Sequence, residues 1–394
     1  MKDKAGFSLL ATIIIIVVTG VISSIATGVI LYNGYKDKLG VTYDKLSNDT
    51  ALREFLDVYS SLTGDYYKDI DKKAMLKKAI EAMTEYLGDK YTTYLTEDQK
   101  QQLENQLNGK YKGIGVLIQD NVIKQVFDNS PAAKSGVHVG DKIIQVDGED
   151  VSEKSAAEIV NLIRKNDKSS TIVFLRDNKE LELTLNFESL DIPYVNYEMY
   201  DGGIGYLYLS GFSSSLEGQV RSAVANLESD GLKSLIIDLR DNTGGYLVSA
   251  SDVASIFIEK GKTIYSLVDN NGKTTYKDKT TEKKEYPIVV LMNENSASAS
   301  EILAAALKES YGATIVGKNS YGKGKVQQTK QLEDGSMIKY TSAKWYTPNG
   351  ECIDEKGIKP DYDVELEIVY DKNDEIKEVH DTQLDKAKEL LLGR

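Results

Sequence analysis

The chain has 394 residues, a length that predicts two or three domains. Its formal net charge of −13 argues against a nucleic-acid partner, because binding to phosphates requires a basic surface. Its single cysteine, Cys352, excludes an intramolecular disulfide and a multi-cysteine zinc site, and with only two histidines we expect no metal centre and no cofactor.

The first 35 residues predict a membrane anchor. Residues 5–35 carry no charge and are mostly apolar, and about 20 such residues cross a bilayer as a helix. A cleaved signal peptide has a shorter apolar core, and here the apolar run continues past the small residues at 24–26 that could form a cleavage site. We therefore expect residues 1–35 to be an uncleaved transmembrane helix. Its N-terminus would lie inside and the catalytic domain outside, as in a single-pass protein of the cell membrane.

Residues 36–110 are predicted to form a helical segment. Apolar side chains recur at helical spacing in residues 43–59 and 74–87, and Gly88 is a helix stop. A third helix is expected over 96–107, because Thr96 is a good N-cap.

Residues 111–188 are predicted to form a small β-rich domain. Short β-like segments follow one another at regular spacing, interrupted by one helical stretch at 155–164. The predicted strands are 114–118, 122–127, 142–146, 171–175 and 181–187.

Residues 189–370 are predicted to form an α/β core, because strand and helix patterns alternate. The expected strands are 205–209, 235–239 and 288–291, and the expected helices are 216–227, 247–257 and 299–308. The polar stretch 269–285 is a surface excursion or a hairpin, and residues 371–394 form a charged tail with a helix at 384–392. The fold class is therefore α+β and multidomain, with a helical N-terminal segment and a transmembrane helix.

The first motif that could carry chemistry is Asn-Ser-Ala-Ser-Ala-Ser-Glu at 295–301, between an apolar strand and a helix. Such a junction places a serine at the carboxyl edge of a sheet, where the helix N-terminus stabilises a developing oxyanion. The same residues also fit a capping box, with Ser298 as N-cap and Glu301 as its partner. The segment alone leaves both interpretations open.

The second motif is the glycine-rich segment 317–327. Residues 317–323 match the phosphate-loop pattern G-x-x-x-x-G-K, but Gly324 stands where that loop needs Ser or Thr, and a β-like segment follows instead of a helix. This argues against an NTPase. Two interpretations remain for Lys323: a base held in a tight glycine turn, or part of a basic, solvent-exposed hairpin.

The third motif is Asp-Leu-Arg-Asp-Asn-Thr-Gly-Gly at 238–245, again at a strand end. Its glycines could present backbone N–H groups to a cleft, or the segment could be a simple turn. Together the three motifs resemble the C-terminal processing peptidases, also called tail-specific proteases. The resemblance continues through 345–350 and 356–361 and covers about residues 40–390.

The resemblance implies a serine endopeptidase with a Ser–Lys–Gln centre that cleaves proteins near their C-termini. Ser298 would be the nucleophile, Lys323 the general base, and Gln327 the residue that orients the lysine. The backbone N–H groups of Ala299 and Gly244 would form the oxyanion hole.

A lysine can serve as this base only if its pKa is lowered. An ordinary lysine, with a pKa near 10.4, is almost entirely protonated at neutral pH. A downward shift of roughly three units, from burial and a positive helix end, would make Lys323 competent at a cost of about 4 kcal/mol. We therefore expect activity that depends on conformation.

The β-rich domain resembles a PDZ domain. Its loop at Gly113, Ile114, Gly115 and Val116 resembles the turn that binds a C-terminal carboxylate, while the bound tail adds a strand. Arg164 would contact the peptide or the core, or lie solvated at a helix end.

The expected partners are unfolded or tail-exposed proteins with free, apolar C-termini. The helical segment and the C-terminal helix are candidates for homodimer contacts by analogy with the family. Three other functions compete with the peptidase: an inactive PDZ scaffold, a hydrolase of small esters or amides, and an NTPase. The scaffold would need neither Ser298 nor Lys323.

Overall fold

The computed structural model describes residues 49–127, 129–166, 168–370 and 376–393. The predicted anchor in residues 1–35 lies outside these described residues. Within them, no helix is both long enough and apolar enough to cross a bilayer. The chain divides into two compact units, with the boundary between Met83 and Thr84.

The first unit contains helix α1 (Thr50–Asp65) and most of helix α2 (Lys72–Tyr86). The side chain of Asp49 caps α1, because its carboxylate accepts hydrogen bonds from the N–H groups of Ala51 and Leu52 at 3.0 and 3.2 Å. The part of the predicted first helix that precedes residue 49 lies outside the described residues.

The first strand of the second unit lies inside the segment predicted to be helical. Strand β1 (Thr93–Leu95) pairs with a strand near residue 338, so its conformation depends on a contact some 240 residues away in sequence. Helix α3 (Glu97–Asn108) follows. It has the predicted Thr96 cap, which forms a capping box with Gln99, and it ends at a left-handed Gly109.

The PDZ-like domain is a six-stranded sheet covered by two helices. Its strands β3 to β8 follow the order β3-β4-β5-β7-β8, with β6 on β5, and the short pair β2–β9 joins the two ends of the domain. Ile143, Ile159 and Phe174 are fully buried in its core. The elements are β2 (Lys110–Gly113), β3 (Val116–Gln119), β4 (Val122–Val126), α4 (Pro131–Lys134), β5 (Lys142–Val146), β6 (Glu149–Asp150), α5 (Ala156–Arg164), β7 (Ser169–Arg176), β8 (Lys179–Asn186) and β9 (Glu188–Asp191).

The α/β core is built on a sheet of order β10-β11-β12-β15-β16-β19, in which every pairing except β10–β11 is parallel. Every residue of β12 and β15 is buried, as expected for central strands of a sheet with both faces covered. The strands are β10 (Val195–Tyr200), β11 (Ile204–Leu209), β12 (Ser234–Asp238), β15 (Ile288–Met292), β16 (Thr314–Gly317) and β19 (Tyr362–Asp363). The helices are α6 (Leu216–Ser229), α7 (Leu247–Ala254), α8 (Ala299–Ala306), which continues as a π turn over Leu307–Tyr311, and α9 (Thr382–Leu392).

A second, antiparallel sheet adjoins this core. The long strand β18 (Met337–Tyr346) pairs with β1, β13 and β17, and β14 completes the sheet. The polar stretch predicted as an excursion or hairpin begins in the hairpin of β13 (Thr263–Asp269) and β14 (Gly272–Lys277). The remaining strands are β17 (Lys325–Gln331), β20 (Glu367–Tyr370) and β21 (Ile376–His380). The three sequence motifs thus follow β12, follow β15 and precede β17.

Candidate active site

Ser298 lies between β15 and α8 in a backbone conformation that only the surrounding structure can maintain. Its φ and ψ are 59° and −113°, although residues with a β-carbon disfavour positive φ. Such strain clusters at functional sites, and a sharp strand-to-helix turn is how α/β hydrolases expose a nucleophile. Ser298 is half-buried, while Ala297 and Ala299 on either side are buried.

The outer serines of the motif fasten the nucleophile loop to the turn that follows β12. The hydroxyl of Ser296 donates to the carbonyl of Leu239 at 2.8 Å, and that of Ser300 donates to the carbonyl of Asn242 at 2.7 Å. The N–H of Ala297 also donates to the Asn242 carbonyl, at 3.0 Å. The alternating serines therefore have different roles: the two buried ones anchor the loop, and the middle one remains accessible.

Asn242 and Gly244 bring that turn directly against the nucleophile. The fully buried Asn242 side chain donates to the Leu209 carbonyl at 2.7 Å and accepts the Gly244 N–H at 2.9 Å. A β-carbon on Gly244 would lie 2.9 Å from the β-carbon of Ser298, so only glycine permits this approach.

The two predicted oxyanion donors, the N–H groups of Ala299 and Gly244, differ in whether they already donate a hydrogen bond. The N–H of Ala299, at the start of α8, has no acceptor among the described residues and remains available. The N–H of Gly244 already donates to Asn242, so it could bind an oxyanion only if the turn rearranged. The sequence could not reveal this, because the bond depends on how the turn closes.

Glu301 joins the nucleophile to the lysine turn. One oxygen of its fully buried carboxylate accepts the N–H groups of Ser298 and Lys323, at 2.7 and 2.9 Å. The other accepts the hydroxyl of Ser320 at 2.6 Å and the N–H of Gly322 at 2.7 Å. Burial raises the pKa of this carboxyl above its usual value, even though the four donors act in the opposite direction.

Lys323 is half-buried in a turn whose backbone groups are hydrogen-bonded to several other segments. The indole of Trp345 donates to the Lys323 carbonyl at 2.9 Å, and Asp354 accepts the N–H of Gly324 at 3.2 Å. Burial lowers the pKa of the Lys323 amine, and the nearby charge of Lys339 lowers it further. The direction is the one that a lysine base requires.

The Lys323 side chain does not engage Ser298 in this structure. Its Nζ lies over the ring of Tyr91, 4.8 Å from the centroid, and no hydrogen bond within the described part of the chain joins it to the serine hydroxyl. Gln327, predicted to orient the lysine, instead donates to the hydroxyl of Thr341 at 3.4 Å. Nucleophile and base are thus neighbours through their backbones, but their side chains are apart.

The loop predicted to bind a carboxylate connects two strands of the PDZ-like domain. Gly113 ends β2 and Val116 begins β3, so the strand predicted to start at 114 starts two residues later. The carbonyls of Ile114 and Gly115 each accept a backbone N–H of their own domain at 2.9 Å. Among the described residues, the N–H groups of this pair have no backbone acceptor, but the Gly115 N–H acts on the Tyr111 hydroxyl, so the Ile114 N–H is the one that remains available to a peptide.

Arg164, the last residue of α5, is exposed. Burial raises the pKa of the Tyr111 hydroxyl to about 12, while the charge of Arg164 and the N–H of Gly115 act to lower it. Within the described residues, that hydroxyl makes no hydrogen bond of ordinary geometry. The role predicted for Arg164 in binding a carboxylate stays a prediction.

Comparison with known proteins identifies the family. The sequence model of peptidase family S41 matches residues 203–364, and a PDZ-domain model matches residues 122–176. The carboxy-terminal processing protease CtpA of Bacillus subtilis is 34% identical over 361 residues, which cover 89% of this chain and 76% of that protein. The chain belongs to peptidase family S41.

Other S41 relatives have similar coverage. Probable CtpA-like serine proteases of several Staphylococcus aureus strains are 35% identical over 327 residues. The alignment covers 81% of this chain but only 66% of the length of the Staphylococcus proteins. Among solved structures, a photosystem II D1 C-terminal processing protease is 26% identical, with a TM-score of 0.49, over 77% of this chain and 88% of the other.

Membership of family S41 confirms the resemblance inferred from the motifs and the mixed α/β protease fold with a PDZ domain. The phosphate-loop interpretation fails also on structure, since strand β17 rather than a helix follows Gly324.

Sequence reasoning missed the roles of five residues that shape this S41 site. Ser296, Ser300 and Asn242 are buried polar groups inside motifs already recognised, so their regular presence beside the nucleophile was a usable signal. Glu301 was considered only as a helix cap. Tyr91 had no local signal, because it reaches the site from a distant loop.

Proposed function

We propose that this protein is a serine endopeptidase that cleaves protein substrates near their C-termini, with Ser298 as nucleophile and Lys323 as general base. The observation that carries the proposal is the shared Glu301 oxygen, which binds the backbone N–H of both residues. Two segments that are remote in sequence are thereby held where a serine and a lysine with a lowered pKa can cooperate.

The proposed reaction follows acyl transfer. Neutral Lys323 takes the proton from the Ser298 hydroxyl as its oxygen attacks the scissile carbonyl, and the Ala299 N–H at the start of α8 stabilises the oxyanion. The lysine ammonium then protonates the leaving amine, which leaves an acyl-enzyme and a neutral lysine. Water, deprotonated by the same lysine, attacks the ester and regenerates Ser298.

We infer that the enzyme is gated by the position of the lysine. In this structure the ring of Tyr91 holds Lys323 Nζ, and Gln327 binds Thr341. The Thr341 hydroxyl in turn donates to Asp89 at 2.6 Å, so the loop that carries Tyr91 is joined to the predicted orienting residue. In the active state the Lys323 side chain would move away from the Tyr91 ring, and the Gln327 side chain would turn toward the Lys323 amine.

The pH dependence tests the lysine base. Because burial lowers the pKa of Lys323 from 10.5, kcat/KM is expected to rise with pH through a midpoint below 10.5 and to stay high above it. The sign follows from the neutral amine being the active form. Steady-state rates on one peptide across the pH range give the midpoint. A profile that instead falls as pH rises through this range would rule out a lysine base.

The PDZ-like domain is proposed to read substrate tails. The N–H groups of Ile114 and Gly115, with Gly113 and Val116 around them, would hold a terminal carboxylate together with Arg164, and the Gly115 N–H would turn from the Tyr111 hydroxyl to the carboxylate. An unfolded protein with an apolar C-terminus should therefore be cleaved faster than the same protein amidated at its C-terminus. Arg164→Gln should reduce this difference if Arg164 contributes to binding.

Matching controls separate tail reading from catalysis. An internal peptide without a tail motif, whose cleavage point lies well away from its C-terminus, should be cleaved equally well in free and amidated forms. Equal rates for the free and amidated proteins would contradict tail reading and leave the peptidase centre intact. No cleavage of any substrate over a wide range of concentrations would contradict the peptidase proposal itself.

Anchoring, location and assembly are proposed on sequence grounds. The apolar stretch in residues 5–35 supports a single-pass anchor in the cell membrane with the catalytic domain outside. A homodimer formed through the N-terminal helices or α9 is proposed by analogy with the family. Membrane fractionation of the full chain and protease accessibility from outside the cell test the topology.

A further inference from the structure

A charged group without a carboxylate partner lies beside the nucleophile loop. The exposed ammonium of Lys90 donates to the Tyr321 hydroxyl at 2.9 Å, and Tyr321 is half exposed. The backbone N–H of Tyr321 donates to the carbonyl of Ser296 at 3.0 Å, two residues before Ser298. Lys90 and Tyr321 therefore line the same edge of the sheet as the proposed nucleophile.

This region concentrates positive charge in a protein that is acidic overall. The ammonium groups of Lys90, Lys323 and Lys325 lie 5.0, 4.8 and 5.8 Å from the centroid of one ring, that of Tyr91. Asp89 lies 3.5 Å from Lys325. Within the described ranges Lys90 has no carboxylate partner.

Lys90 keeps its charge over the whole working range of pH. The Tyr321 and Tyr91 hydroxyls raise the pKa of its amine to about 12. The Tyr321 oxygen accepts the Lys90 hydrogen bond, and this bond and the Tyr91 hydroxyl lower the pKa of Tyr321, which makes its O–H a stronger donor to a further oxygen. A fixed cation next to a free hydroxyl donor matches the two oxygens of a carboxylate.

We propose that Lys90 and Tyr321 form a carboxylate-binding subsite for the substrate next to the scissile bond. The subsite selects substrates that carry a carboxylate within a few residues of the cleavage point. This inference rests on the proposed peptidase function and adds a specificity to it that is separate from tail reading by the PDZ-like domain. The carboxylate can come from an Asp or Glu side chain or from the chain terminus itself.

Binding measurements test the subsite without requiring catalysis. Full-length protein carrying Ser298→Ala is titrated with four fluorescent peptides of one sequence, with Glu or Gln next to the cleavage point and a free or amidated end. We expect tighter binding of a carboxylate form by up to about fivefold, the upper end of the range measured for exposed ion pairs. Preference for Glu assigns the side chain as the source, and preference for the free end assigns the terminus.

Variants of Lys90 test whether the carboxylate preference depends on this residue. Adding Lys90→Gln should remove the preference, and Lys90→Arg should preserve it. The matched control is Lys260→Gln, which removes one charge from an exposed turn after α7 and should leave the preference unchanged. Raising the salt concentration to about 1 M, where screening acts within about 3 Å, should also abolish it.

The outcomes separate this subsite from the proposed function. Equal affinities for all four peptides, or a preference that survives Lys90→Gln, would overturn the subsite. If the carboxylate preference is present and depends on Lys90 but the unaltered protein cleaves nothing, the subsite stands and the peptidase proposal fails.

Discussion

Replacing Ser298 by alanine is expected to lower kcat by a factor on the order of 10⁴ or more. The hydroxyl is the proposed attacking group, and its loss leaves only oxyanion stabilisation and binding, as in other serine peptidases. Lys323→Ala should cause a loss of similar size, because the hydroxyl then has no base. The double variant should be hardly worse than either single one, since both residues act in one step. Cleavage of an unfolded protein with an apolar C-terminus, followed by gel and mass spectrometry, measures these losses.

Control variants and a folding measurement test whether the loss of activity is specific to Ser298 and Lys323. Ser222→Ala changes an exposed serine on α6, and Lys260→Ala changes an exposed lysine, and both should retain full activity. Thermal unfolding should show that Ser298→Ala is folded, because removing a half-buried hydroxyl at a helix N-cap costs about 1 kcal/mol, a small part of the stability of a domain. Activity that survives in Ser298→Ala would mean that another residue is the nucleophile.

Removing the Glu301 carboxylate is expected to damage both stability and activity. In Glu301→Ala the N–H groups of Ser298, Gly322 and Lys323 and the Ser320 hydroxyl lose their acceptor at a buried position. Each buried donor without a partner costs about 1–3 kcal/mol, less whatever water recovers, so we expect a loss of about 3–5 kcal/mol. Turnover should become undetectable, because the nucleophile and lysine loops are no longer joined. Urea unfolding gives the first quantity and single-turnover cleavage the second.

The size of the stability loss in Glu301→Ala decides whether the serine motif is only a capping box or part of a catalytic centre. Losing a helix cap alone costs about 1 kcal/mol and would leave the lysine turn in place. Glu301→Gln retains one acceptor oxygen but turns an amide donor toward N–H groups. Its free energy of unfolding should therefore lie between those of the wild type and Glu301→Ala. A loss near 1 kcal/mol with activity retained would reduce Glu301 to a cap.

Local signals predicted the elements whose ends are determined by their own residues. Thr96 caps α3 as predicted, α5 lies within the helical stretch predicted at 155–164, and β5 occupies residues 142–146 as predicted. Helix α1 lies in the region predicted to be helical, and the part of that prediction before residue 49 lies outside the described residues. Strand β1 was missed inside a helical prediction, since only its pairing with β18 makes it a strand.

The sequence alone determined the family and predicted the candidate nucleophile, the candidate base and the order of the domains, because these depend on residue types at short, ordered spacings. Only the tertiary structure decided what those residues contact. Gly244 donates to Asn242, Lys323 lies on Tyr91 and Gln327 binds Thr341, and each contact joins groups whose positions depend on how turns close and strands pair. Glu301 shows the difference most clearly: three residues from Ser298 it looks like a cap, but the folded chain brings residues 320–323 to the same carboxylate. Hydrogen bonds between distant segments leave no spacing in the sequence, so a motif can indicate the chemistry but not the state in which the site is held.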